Sequence, residues 1–465
     1  MQALRIASDK ITPHDTKELT ILRNPPKQIT DPRLLAATAL LQAERRGAWS
    51  NLSLDTHLRR HRLPPADAAF AGALFYGAIE RRLTLDACIA THSSQRPGKL
   101  SPQVLCALRL GVYQLLYMQI PDHAAVGESV ELVRKLGKGQ AAGFVNGVLR
   151  AFLRGGKQIP LPESGSLAER LSVEYSCPTP LVEILIDEHG EDTTRRFLAE
   201  SLGRPPVAVR VNTLRTDPHT LAARLEREGV KSAPHTDLPG CLLLESTGAI
   251  AGLPSFREGL FHVQDVSSQL CVAALGLKPG MRVLDVCAAP GGKTFTAAQI
   301  MENRGEIVAC DLHEKRVGLI SRRAQEMGIS CITAICRDMS THHPDLGSFD
   351  AVLCDLPCSG YGVIRRKPEI KYKTPDEFAN ISTVQYNILE SSAQYCREGA
   401  SLLYSTCTFN PAENSGVTNR FALEHPDFSP RSLGGLLGEE TSRTLLGEYG
   451  GDGFYLAAFR KAGGR

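Results

Sequence analysis

Apolar and polar residues follow three different rhythms along this chain. Asp31-Pro32 reads as a helix cap followed by proline at the first helical position. Behind it Leu34, Leu35, Ala37, Leu40 and Leu41 recur at helical spacing. Similar stretches follow at 64–90, 101–119, 123–136 and 140–154, and Ser101-Pro102 repeats the cap signature. Strand alternation is almost absent before residue 160, so the first third predicts an all-α helical bundle. Residues 1–30 are polar, carry Pro13, Pro25 and Pro26 without an apolar period, and read as a loose arm. The run GGKQIPLPESGS at 155–166 combines glycine, proline and serine, the mark of a linker.

The second rhythm mixes short helices with short strands between 167 and 265. PPVAVRVNTL (205–214) reads as a strand, 217–229 as a helix and CLLLES (241–246) as another strand. After 280 the pattern becomes β-α-β-α. Strands are legible at 282–287, 306–311, 332–338, 349–357 and 400–407, helices at 293–302, 313–327, 380–397 and 412–424, and a last strand at 453–461. Near-continuous apolar strands separated by helices predict a parallel sheet covered on both faces. The expected fold is therefore multidomain. An arm (1–30) precedes an all-α helical bundle (31–156), a small α+β linking domain (165–265) and a doubly wound, Rossmann-like α/β domain (266–465).

Composition narrows the setting. No run approaches the roughly 18 apolar residues of a membrane-spanning helix, and the start, MQALRIASDKITPHD, carries no secretory signal pattern. Thirteen cysteines contain no Cys-x-x-Cys pair, which argues against a disulfide framework and against a zinc site. A reducing cytoplasm is the expected location. The net charge of +3 conceals an asymmetry: residues 1–160 hold 22 Lys+Arg against 12 Asp+Glu, and the remainder 31 against 38. A basic first third suits contact with a polyanion. A solvated helical surface rich in arginine has the same composition.

The chemistry gathers at strand ends in the last third. The first strand runs into Cys287-Ala288-Ala289-Pro290-Gly291-Gly292-Lys293, which opens a helix. Small residues there let a ligand approach the backbone, and a helix N-terminus favours an anionic group. A Walker A loop needs glycine where Cys287 stands, and GxGxxG is absent, so a nucleoside-triphosphate site is excluded. Asp311, Asp338 and Asp355 close three successive strands on the edge where such sheets bind ligands, the positions for ribose and nucleoside contacts. A nucleoside ligand without phosphate-binding motifs points to S-adenosylmethionine.

Two cysteines also follow strand ends: Cys358 in Asp355-Leu-Pro-Cys-Ser-Gly and Cys407 in Ser405-Thr-Cys-Thr. Carbon 5 of a pyrimidine is a poor nucleophile. A thiolate adding to carbon 6 makes carbon 5 enamine-like, a neighbouring carboxyl group stabilises the adduct, and a base then removes the carbon 5 proton. Asp355, Cys358 and Cys407 could divide these roles, or the cysteines could be core residues.

DVCAAPGGKT, DLPCSGYGVIRRKPEIKYK and LLYSTCTFNPAEN resemble motifs I, IV and VI of the RNA 5-methylcytosine methyltransferases. The resemblance implies Cys407 as nucleophile, Cys358 in product release, and cofactor contacts on 287–293, Asp311, Asp338 and Asp355. LRLGVYQLLYMQIPDHAAVGESVELV and GFVNGVLRAFLR resemble the NusB-like RNA-binding domain of the RsmB (Sun) branch, with VRVNTLR and GLFHVQDVSSQL matching its linking region. That branch implies a cytosine in 16S ribosomal RNA, naked or in an early small-subunit particle, as the target, and a monomer without metal or membrane is expected. Leu356, Tyr361, Tyr372 and Thr408 depart from the family's commoner residues; they put no catalytic group in doubt, though Tyr361 and Tyr372 could alter how the target base is held. Arg365, Arg366, Lys367, Lys371 and Lys373 are candidate phosphate contacts, with solvated surface charge as the competing reading. Lys293 either neutralises Asp355 or holds the cofactor. The target base is expected to be splayed out of its loop. Two other readings stay open: the same reaction on transfer RNA or another ribosomal site, and a non-catalytic RNA-binding assembly factor.

Overall fold

The computed structural model describes residues 28–46, 51–245, 247–373 and 375–463. Most of the expected arm therefore lies outside the described residues. The chain forms two compact units, Met1–Thr179 and Pro180–Arg465. Among the described residues no helix is long and apolar enough to cross a membrane.

In the first unit the helices are α1 (Pro32–Arg46), α2 (Asn51–His61), α3 (Pro65–Glu80), α4 (Arg82–His92), α5 (Pro102–Tyr117), α6 (Asp122–Lys135), α7 (Ala142–Arg154) and α8 (Leu167–Tyr175). The single helix expected over 64–90 is two, because the backbone leaves helical geometry at Arg81. α5 is the hub: its Val104, Leu108, Leu110 and Val112 are buried, and it packs against α1, α3, α4, α6 and α7. One charge is sunk in this core with its partners supplied. Arg109 donates to both oxygens of Asp86, at 2.7 and 2.8 Å, and to Glu44 at 2.7 Å. The 155–166 segment leads straight into α8, where a Ser166–Glu169 capping box starts the helix. α8 is then tied to α4 by a 2.6 Å bond from the Thr84 hydroxyl to the Val173 carbonyl.

The second unit carries α9 (Thr179–Glu200), interrupted at Gly190, and two sheets. The smaller sheet has the order β2-β3-β1-β4 and is antiparallel throughout, with β1 Val207–Val211, β2 Lys231–Pro234, β3 Cys241–Glu245 and β4 Phe261–Val263. Leu221 and Leu225 of α10 (Pro218–Arg227) join Val209, Val211, Leu242 and Leu244 in its core. Neither β2 nor β4 is legible in sequence. β2 is a largely exposed edge strand and β4 has only three residues, too few to show a period.

After α11 (Pro254–Arg257) and α12 (Val266–Ala273) comes the larger sheet. Its parallel core is β5 (Arg282–Asp285), β6 (Glu306–Asp311), β7 (Ile332–Cys336), β8 (Phe349–Asp355) and β9 (Cys396–Thr406). α13 (Gly292–Ile300), α14 (Glu314–Met327), α15 (Ile381–Ala393) and α16 (Ser415–Glu424) connect and flank the strands. Side chains alternate between two cores: Val283, Ile307, Ala351 and Leu403 in one, Leu284, Val308, Val352 and Leu402 in the other. The sheet is mixed rather than wholly parallel. β12 (Phe454–Lys461) runs antiparallel to β9, and β10 (Phe428–Pro430) and β11 (Ser442–Leu445) run antiparallel to β12. The helix expected to reach 397 stops at Ala393. Tyr395 and Cys396 are buried, and the Tyr395 carbonyl accepts from the amide of Phe349 at the start of β8. Strand order reverses between β5 and β8, the switch point at which doubly wound sheets bind ligands.

Candidate active site

The turn after β5 crosses this switch point. The amide of Val286 donates to Leu353 and that of Ala288 to Cys310, pinning the turn to the strands on both sides. Gly291 adopts φ 107°, and a Cβ there would stand 2.4 Å from the Phe295 ring, so the residue must be glycine. Ala288, Ala289, Pro290 and Gly292 then line a cavity of about 580 Å³ together with Gln264, Asp285, Lys293, Asp355, Lys367, Cys407 and Asp452.

At the end of β8 the Lys293 ammonium donates to Asp355 at 2.7 Å, and the Ser405 hydroxyl donates to the other carboxylate oxygen at 2.9 Å. Burial pulls against the charged form of Lys293, but the adjacent carboxylate outweighs it and raises the ammonium pKa. Of the two roles open to Lys293, pairing with Asp355 is the one this geometry displays.

Cys358 and Cys407 follow neighbouring parallel strands, in which Asp355 pairs in register with Ser405. Their sulfurs stand 3.2 Å apart. Two bonds join the two loops, the Gly362 amide to the Cys407 carbonyl at 3.0 Å and the Ser359 and Thr408 hydroxyls at 2.8 Å, and the Gly453 amide donates to the Gly362 carbonyl at 2.9 Å from the segment before β12. The surrounding charges are unequal. The Cys407 thiol is held below its usual value by the hydrogen bond from Cys358, against burial and Asp355, with Lys293 and Lys367 adding to the lowering. Cys358 is pushed well up by that same bond, by burial, and by Glu413 beneath it. Of the pair, Cys407, the sulfur that lines the cavity, is the one whose surroundings favour ionisation.

Asp311 is buried at the end of β6, pairs with Arg316 at 3.1 Å and, like Asp338, is not among the cavity's lining residues. Arg316 also donates to the Ala289 carbonyl at 2.8 Å, which joins Asp311 to the turn. Asp338 lies two residues past the end of β7, exposed, accepting from the amide and hydroxyl of Ser340, and is not among the cavity's lining residues. The five basic residues after Cys358 have divergent environments. Lys367 is exposed at the cavity. Arg366 turns inward, bonded to Asp265 at 2.8 Å and Asp452 at 2.6 Å. Lys371 is buried, Lys373 lies 5.3 Å over the Phe378 ring, and Arg365 is half-buried.

Several lining or supporting residues escaped the sequence reading. Asp265 caps α12 by accepting from the Ser267 amide, a signal readable as an acid ahead of an apolar run. Glu413 is fully buried and accepts from the Ser359 amide at 2.8 Å. Asp285, buried on β5, accepts from Thr294 at 2.7 Å, and burial pushes its carboxyl up to about 7. Gln264 and Asp452 carry no local signal.

Fold and site together define a methyltransferase of the doubly wound class. Residues 272–460 match the family model described as 16S rRNA methyltransferase RsmB/F, residues 30–154 the NusB family, and residues 177–251 the RsmF/B-like ferredoxin-like domain. The chain is 36% identical over 450 residues to the probable ribosomal RNA small subunit methyltransferase B of Bacillus subtilis, covering 93% of this chain and 99% of that protein. It is 34% identical to the probable enzyme of the same name from Synechocystis, covering 92% and 99%. Among solved structures, a methyltransferase homologue from Pyrococcus horikoshii is 26% identical with a TM-score of 0.54, over 64% of this chain and 100% of that one. The chain belongs to the ribosomal RNA small subunit methyltransferase B family. It is an S-adenosylmethionine-dependent ribosomal RNA methyltransferase. The cavity fits that cofactor: Asp285 Oδ1 and Gln264 Nε2 are buried there without partners among the described residues, an acceptor and a donor, and the turn's small residues leave its backbone open.

Proposed function

We propose that the protein methylates carbon 5 of one cytosine in 16S ribosomal RNA, naked or within an early small-subunit particle, through a covalent cysteine–cytosine adduct in the cytoplasm. The sulfur pair carries this reading: two thiols 3.2 Å apart at adjoining strand ends, with the more readily ionised sulfur on the cavity side. Cys407 bonds to carbon 6, and the displaced electron pair enriches carbon 5. Asp355, oriented by Lys293 and Ser405, hydrogen-bonds the nitrogen 3 side of the ring and stabilises the adduct. The bound cofactor supplies the electrophilic methyl group. A base then takes the carbon 5 proton, the C–H electron pair restores the carbon 5–carbon 6 double bond, and the Cys407 sulfur leaves as thiolate, with Cys358 assisting that release. The 287–293 turn and Asp311 hold the cofactor, and Lys367 meets RNA phosphate at the cavity mouth.

Bisulfite sequencing of ribosomal and transfer RNA tests the assignment. Cells with the gene should protect one 16S cytosine, and cells lacking it or carrying Cys407→Ala should not. Protection that survives Cys407→Ala, or that falls on transfer RNA instead, contradicts it.

A further inference from the structure

Two cysteines line the cavity, and their surroundings differ. Cys287 is held as a thiol: burial pushes it well up, and Cys354, Asp285 and Asp355 add to the rise. Cys407 has surroundings that favour ionisation and a sulfur partner, Cys358, at 3.2 Å. All thirteen cysteines are free, and this contact is the one sulfur–sulfur hydrogen bond among the described residues. Cys336, which is exposed, directs its thiol to the Leu312 carbonyl instead.

A disulfide holds its sulfurs at about 2.05 Å. From 3.2 Å the pair must close by about 1.1 Å, shared between two side chains, which fits within the breadth of a rotamer well. The backbones need not move: the Gly362 amide on the Cys407 carbonyl and the Ser359–Thr408 hydroxyl pair already hold the two loops together. The approach is also sided. Cys407 lines the cavity and Cys358 is not among its lining residues. A small oxidant reaches Cys407 from the cavity, Cys358 attacks from within the protein, and the departing oxygen leaves by the way the oxidant came.

We propose that Cys358 and Cys407 form a site of reversible oxidation, at which a hydroperoxide joins them in an intramolecular disulfide and so withdraws the nucleophile. The loss of activity rests on the reading of Cys407 as nucleophile; formation of the bond does not. The Cys407 sulfur attacks one peroxide oxygen and the O–O bond breaks. Cys407 becomes a sulfenic acid, and the other oxygen takes up a proton and leaves as alcohol or water. The Cys358 sulfur then bonds to the Cys407 sulfur, and the sulfenic hydroxyl leaves with the Cys358 proton as water. Two electrons have passed from the sulfurs to the peroxide, and a dithiol returns them by exchange. Closing the disulfide keeps Cys407 from the sulfinic and sulfonic acids, which thiols do not reverse.

Titrating the full chain, without RNA, with hydrogen peroxide tests this. Remaining thiols are blocked and the peptides mapped by mass without reduction. A peptide pair linked through Cys358 and Cys407 should accumulate while Cys336 stays free. Methyl transfer should fall in one-to-one proportion to the linked fraction, and dithiothreitol should restore both. In Cys358→Ala the same treatment should carry Cys407 to the sulfinic acid, beyond recovery by dithiothreitol. Absence of the linked peptide at every peroxide concentration, or a Cys358→Ala protein whose Cys407 is recovered as fully as in wild type, overturns the proposal. A linked peptide with undiminished methyl transfer supports the oxidation site and overturns Cys407 as the nucleophile.

Discussion

Arg366 offers a sharp test of structure against sequence pattern. In sequence it belongs to a basic run beside a catalytic loop and reads as a phosphate contact. In the structure its guanidinium bridges Asp265 and Asp452, whose side chains are only 12% and 6% exposed. Replacing it by glutamine leaves two buried carboxylates facing each other. Breaking a buried pair costs about 3–5 kcal/mol, and partial exposure of Arg366 places this case near the lower end. The cost should depend on pH. Asp452 is already pushed up to about 6 by burial and by Asp265, with Arg366 opposing the rise. Without Arg366 the pKa climbs further. A carboxylate raised in the folded state leaves stability intact below its unfolded value of 3.8 and removes it as pH rises through the folded value. The deficit of Arg366→Gln relative to wild type should therefore be small at pH 5 and full at pH 8, read as the difference in urea midpoints. Its RNA affinity should keep the wild-type salt dependence. A variant of unchanged stability that binds RNA more weakly, with a shallower salt slope, would refute the clamp and restore the phosphate reading.

Two further predictions follow from single positions. Asp285→Asn removes a buried carboxyl whose pKa stands at about 7 against 3.8 unfolded, so the variant should gain on wild type as pH rises from 4 to 7, by up to about 4 kcal/mol. A stability difference flat across that window contradicts it, and any constant cost of the amide cancels in the comparison. Gly362→Ala places a Cβ 2.0 Å from the Gly453 carbonyl and 2.9 Å from that of Cys407, so the Cys358 loop must move away from both the segment before β12 and the Cys407 loop. Methyl transfer should fall at least tenfold with cofactor binding retained; activity near wild type would show that the loops tolerate separation.

Much of the architecture was legible because it is periodic. Long helices with an apolar stripe and near-continuous apolar strands announce themselves, and the turn 287–293 is marked by its composition. What escaped is tertiary. The helix expected to reach 397 ends at Ala393 because Phe349 recruits the Tyr395 carbonyl. The antiparallel edge of β10, β11 and β12 depends on pairing partners far apart in sequence. At the site, Asp355, Cys358 and Cys407 were readable as residues at strand ends. Their meeting at 3.2 Å, and the asymmetry that favours ionisation of Cys407 over Cys358, need the parallel register of β8 with β9 and the buried Glu413. A run of like charges is the weakest signal of all: Arg366, Lys367 and Lys371 are near neighbours in sequence with three different environments.

The central claim is that Cys407 forms a bond to the target base and Cys358 helps to break it. Incubating Cys358→Ala with 16S ribosomal RNA and S-adenosylmethionine, then denaturing, measures this directly. The account predicts a covalent protein–RNA species on a denaturing gel that disappears when Cys407→Ala is added to the same chain. A Cys358→Ala protein that turns over normally without such a species, or an adduct that persists without Cys407, would contradict it.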